Sequence, residues 1–110
     1  MSRADIHRLD DIRAAAELIL ELAGRGRAAF DSDPAVRLAM ERLLEIIGEA
    51  STALSEQTMA RYPAVPWVDV RRMRIVLAHH YHRIDQDQIW TIATGSIPQL
   101  LGDLRTAEGG

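Results

Sequence analysis

Between Asp33 and Leu54 the apolar residues Val36, Met40, Leu43, Ile47, Ala50 and Leu54 recur at alternating steps of four and three. That spacing lays one continuous seam along an α-helix and is incompatible with a half-buried strand, whose faces repeat every second residue. The helix also has a marked start. Asp33 is suited to accept a hydrogen bond from a first-turn amide, and Pro34 at the first helical position forfeits no bond by lacking an N–H. Leu44 and Ile46 widen the stripe beyond what one partner helix covers. A second interface, within the fold or with another subunit, is therefore expected.

The rest of the chain reads as helices on either side of this one. Residues 4–23 carry Leu9, Ile12, Ala16, Ile19 and Ala23 on one face, and Gly24-Arg-Gly26 stops them. Arg25 and Arg27 in that stop are expected to be solvated. Arg61 to Pro66 holds two prolines and reads as a connection. A third helix is predicted from Trp67 to about His82, with Val68, Val70, Met73, Val76 and Leu77 as candidates for burial and Asp69 near the positive end of its dipole. Ile84-Asp85 opens a fourth, Asp85 and Gln88 having capping-box spacing. Gly95-Ser96 is expected to break that element, Pro98 to lie in the first turn of a short last helix, and residues 106–110 to fray. There is no sustained period-two alternation and no internal repeat. The prediction is an all-α antiparallel bundle of four to five helices forming a single domain over residues 1–110.

Composition agrees with that architecture. Hydrophobic residues make up 47% of the 110 positions but aromatics only 5%, so the core is aliphatic. A chain this size buries somewhat less than about 70% of its unfolded surface, which leaves room for an obligate partner. With no cysteine, disulfides and thiolate chemistry are excluded. No apolar run approaches the roughly 18 residues of a membrane span, and the mixed-charge N-terminus has no signal-peptide pattern. A cytoplasmic protein without membrane contact is the expectation. The net charge of −3 argues against a generic nucleic-acid coat. Yet residues 61–83 hold five arginines (Arg61, Arg71, Arg72, Arg74, Arg83) against one acid, Asp69. All thirteen basic residues are arginine, which compositional bias explains as well as function does.

The chemistry concentrates in Met73-Arg-Ile-Val-Leu-Ala-His-His-Tyr81, which reads R-x-x-x-x-H-x-Y. Arg74 offers a fork for phosphate, His79 a proton-transfer group near neutral pH, and Tyr81 a phenol. His80 and His82 bring three of the four histidines into the same place. Arg74 and Tyr81, seven apart, are nearly eclipsed on a helix, with Arg71 on their stripe. His79, however, lies roughly 140° from Arg74. One straight helix does not converge that pair on one atom. Either the helix loosens near its end or two copies build a composite site, and the spacing points toward a dimer. His79 and His82 could share a face, but two imidazoles without a nearby carboxylate are a thin ligand set, so no metal or other cofactor is expected. Taken singly, Tyr81 is also readable as a half-buried aromatic and the arginines as a solvated face.

Taken together with its surroundings, the chain resembles the HepT-like toxins of the HEPN superfamily, the ribonuclease half of bacterial toxin–antitoxin pairs. Leu43-Leu-Glu-Ile-Ile-Gly-Glu-Ala50 resembles the family's second-helix signature and Tyr62-Pro-Ala-Val-Pro-Trp67 its interhelix loop. Met73 to Tyr81 is similar to its R-x(4-6)-H motif with trailing tyrosine, and Ile84-Asp85, Trp90, Ile97-Pro98 and Leu100 fit the downstream pattern. The resemblance implies a HEPN-like helical homodimer whose motif helices line a cleft, acting on RNA as a metal-independent endoribonuclease. It makes Arg74 and His79 the catalytic pair and Tyr81 a cleft residue that accepts AMP from an MNT-type nucleotidyltransferase antitoxin. Arg71, His80 and His82 join as candidate RNA-binding residues, and Glu49 is either a support for the cleft or an ordinary exposed acid. One position departs. Ile75 follows the motif arginine where the family commonly has a polar residue, which raises the alternative of a catalytically weakened dimer that serves as a binding partner of the nucleotidyltransferase.

Overall fold

The computed structural model describes the backbone of residues 1–79 and 85–109, and the side chains of 1–74 and 85–109. Within these residues every regular element is a helix: α1 (Arg3–Ala23), α2 (Arg27–Ser32), α3 (Pro34–Thr52), α4 (Glu56–Ala60), α5 (Trp67–His79), α6 (Gln86–Thr91), a π segment (Ile92–Ser96) and α7 (Ile97–Ala107). The short helices α2 and α4 are additions to the elements legible in sequence. Each is too short to show a periodicity of its own.

The start of α3 is built as its sequence demands, with the Asp33 carboxylate accepting from the Ala35 amide at 2.9 Å and Pro34 in the first turn. α3 is the central helix, packed most extensively on α1 and α5, while α7 closes over α1. Its seam is rotated slightly from the sequence reading. Val36, Met40, Leu44 and Ile47 enter the core, whereas Leu43, Ile46 and Ala50 remain half-buried along its flank. Leu43 and Ile46 line a shallow apolar groove with Ala14, Ala15 and Leu18 of α1, so of the two residues that widened the stripe Ile46 faces that groove while Leu44 is taken into the core. From the other helices Leu9, Ile12 and Ile19, Phe30, Val70, and Ile97, Leu100 and Leu104 complete one core. Each such aliphatic side chain contributes about 1.5–3 kcal/mol on burial.

Two contacts that the linear pattern does not show tie distant segments together. Asp5, buried in the first turn of α1, accepts hydrogen bonds from Ser55 Oγ at 2.6 Å and Thr58 Oγ1 at 2.7 Å. Ser55 is itself the cap of α4, accepting from the Thr58 amide. Arg27, expected to be solvated, instead pairs with Asp31 and Asp87 and lies over the rings of Phe30 and Trp90. With Phe30 and Trp90 5.3 Å apart, this stack joins α2 to α6. A guanidinium suits it because its planar face tolerates partial desolvation against aromatics.

Two further expectations are corrected. Gly95-Ser96 does not break the chain: residues 86–107 run on through the π segment, where the Ile97 amide donates to the Ile92 carbonyl. Pro98 supplies the reason. It has no N–H and its ring crowds the carbonyl four residues back, so one widened turn accommodates it without ending the helix. Val68, expected to be buried, is 60% exposed. At the other end α7 continues through Ala107, and Arg13 of α1 reaches the carboxylate of Glu108.

Candidate functional site

The site is carried by α5, and the connection before it determines how α5 enters. Tyr62 and Val65 are buried, Tyr62 meets Trp67 edge-on at 6.3 Å, and Trp67 Nε1 donates to the Met59 carbonyl at 3.1 Å. Pro66 directly precedes the helix. Asp85, at the other side, accepts from the amides of Asp87 and Gln88 and caps α6 as its spacing with Gln88 suggested.

Along α5 the buried residues Val70 and Met73 anchor the helix, and Arg72 and Arg74 are exposed. Arg74 combines an exposed side chain with a backbone pressed against α3. A Cβ added to Gly48 would lie 2.6 Å from the Arg74 nitrogen and 2.8 Å from its Cβ. One turn earlier, Arg71 lies across the same seam, its Nε 3.5 Å from the Ser51 carbonyl and its guanidinium near Met59 Sδ. These pairings fix an antiparallel register, in which α3 from Ser51 to Gly48 follows α5 from Arg71 to Arg74.

The candidates thus separate. Arg74 stands on an outward face. Arg71 is half-buried and turned toward α3 and α4, which the stripe argument did not distinguish from Arg74. His79 is the last residue of α5, and its side chain lies outside the described residues, as does that of Ile75. Tyr81, His80 and His82 also fall outside them. Glu49 is exposed on α3 beside Gly48.

Two residues of α3 had no assigned role in the sequence reading. Gly48 was visible only as part of a signature, although a glycine among good helix formers is itself a signal of close approach. Glu41, half-buried two turns before Gly48, has a carboxyl that burial pushes above its usual range, with Arg37 opposing the shift. In the antiparallel register it lies toward the His79 end of α5. No helix among the described residues is long and apolar enough to cross a membrane.

The family model "Ribonuclease HepT-like" matches residues 12–106. The chain is 35% identical over 105 residues to "Probable ribonuclease HepT" of Thermococcus cleftensis, covering 93% of this chain and 94% of that protein. It is 41% identical over 75 residues to "Putative RNase MJ0127" of Methanocaldococcus jannaschii, covering 68% of this chain and 62%, less than two thirds, of that one. It is 33% identical over 93 residues to "Putative RNase TTE0752" of Caldanaerobacter subterraneus, covering 84% and 83% of the two chains. No solved structure matches.

Proposed function

The chain belongs to the HepT-like ribonuclease family, and from that premise we propose that it is the toxin of a toxin–antitoxin module, a metal-independent endoribonuclease whose site is completed by a second copy. The observation that carries this reading is the position of Arg74, exposed on α5 while its backbone is held against Gly48. A rigidly based, permanently charged fork is suited to hold a scissile phosphate and offset the charge that grows on it during cleavage. His79 moves the proton, either from the attacking ribose 2′-hydroxyl or to the departing oxygen. Because the two residues are about 140° apart around a helix, the pair is assembled from two motif helices facing each other across a homodimer cleft.

Tyr81 is the acceptor of AMP from an MNT-type nucleotidyltransferase antitoxin. The added nucleotide brings negative charge and bulk into a cleft that takes RNA, and so blocks it. The experiment is incubation of the purified protein with cellular RNA, with and without chelator, beside a His79→Ala variant. Cleavage that survives chelation and vanishes in the variant supports the reading. Equal cleavage by the variant, or none by the wild type, removes the catalytic assignment.

Ile75 favours one alternative. An apolar residue there cannot hydrogen-bond substrate or orient Arg74, and a dimer so weakened would act as a binding partner of the nucleotidyltransferase. Tight complex formation without RNA cleavage distinguishes this reading from the first.

A further inference from the structure

We infer that Gly48 is a positioning residue for Arg74, fixing where the arginine fork starts by letting the backbones of α3 and α5 touch. This rests on the ribonuclease reading given above. Glycine is the least favourable residue short of proline in a helix interior, and Gly48 sits between Ile47 and Glu49 inside α3, four residues before its last residue Thr52. The other glycines within the helical run of residues 86–107, Gly95 and Gly102, have nothing within 4 Å of where a Cβ would stand. At Gly48 the missing Cβ is replaced by Arg74 itself: its nitrogen at 2.6 Å, its Cβ at 2.8 Å and its Cα at 3.1 Å.

Two of those three atoms are backbone, so no side-chain rotation can make room. An alanine at 48 must push α5 away from α3 or slide it along. Arg74 has an outward side chain and gains little anchoring from its own packing. Its base is held by this contact, with Val70 and Met73 buried on the preceding turn. A long side chain gives a defined fork position only if its Cα does not wander. In a site made from two copies, one displacement acts twice. Misplacement by about 1 Å is enough to cost on the order of 10²-fold in rate.

The test is steady-state cleavage of an RNA oligonucleotide by Gly48→Ala, with Ile12→Val as a control that thins the core in α1, away from this contact. Both variants are assayed well below their melting temperatures. The expected result is a fall in kcat of about 10²-fold for Gly48→Ala with KM little changed, and near wild-type kcat for Ile12→Val. A folded Gly48→Ala that retains wild-type kcat, or an equal fall in both variants, overturns the assignment while leaving the ribonuclease reading intact. A wild type that leaves the RNA uncut overturns that reading and the assignment with it. If Gly48→Ala does not fold, amide exchange of the wild type decides. Exchange of the Arg74 amide only through global opening supports a clamped base, and exchange through local opening refutes it.

Discussion

Thr58 Oγ1 donates a 2.7 Å hydrogen bond to the Asp5 carboxylate across a separation of 53 residues, joining the first turn of α1 to α4. Ser55 Oγ donates to the same carboxylate at 2.6 Å. Hydrogen bonds from Ser55 and Thr58 favour the ionised form and hold the Asp5 pKa down to about 2, against a partial opposing effect of burial. A carboxyl with a depressed folded-state pKa contributes stability that is fully present above its ordinary value of 3.8 and is lost as pH falls from there through about 2. Urea denaturation across that window is expected to show a falling midpoint, and Asp5→Asn is expected to flatten this acid limb. An unchanged acid limb in the variant would assign the effect to other carboxylates.

Phe30 is fully buried and packs at a tilt against Trp90 beneath Arg27. Phe30→Ala is expected to cost about 3–5 kcal/mol, the range for emptying a buried aromatic position. Chemical denaturation measures it. A loss under about 1 kcal/mol would mean that the α2–α6 stack is not an anchor of the fold.

Gly95 lies inside the π segment with open space around its missing Cβ and no positive φ. Gly95→Ala is therefore expected to stabilise the protein by about 0.5–1 kcal/mol, since alanine restricts the unfolded chain at no steric cost. Destabilisation would show that the segment needs glycine's freedom after all.

RNA cleavage is expected to fall about 10²–10³-fold in Arg74→Ala, as for loss of a group that stabilises developing charge. Arg74→Lys should recover only part of the rate, because an ammonium cannot bind phosphate as a fork. Full activity in Arg74→Lys would indicate a simple charge contact. In the same assay Ile75→Asn is expected to raise the rate, and no change would clear Ile75 as a cause of weakened activity.

Tyr81→Phe removes the phenolic oxygen that the proposed nucleotidyl transfer requires. Mass spectrometry after incubation with the nucleotidyltransferase and ATP should show AMP on the wild type and none on the variant. Modification of both would place the acceptor elsewhere.

Local chemistry in the sequence determined the long helices α1 and α3 and the starts of α3 and α6, but not the short helices α2 and α4. Asp33-Pro34 starts α3 and Asp85 caps α6 because a cap needs only residues within one turn of itself. The seam from Val36 to Ile47 and the R-x-x-x-x-H-x-Y motif are likewise properties of adjacent turns. What periodicity leaves open is which side of a helix its neighbours cover. Only the packed structure exposed Val68 and turned Arg71 toward Ser51 and Met59 while Arg74 faced outward. The Arg27 contacts with Phe30, Trp90 and Asp87 depend on partners beyond the local pattern, and so did the role of Gly48. A glycine in a helix announces that something comes close; the antiparallel packing of α3 on α5 decided that it is Arg74.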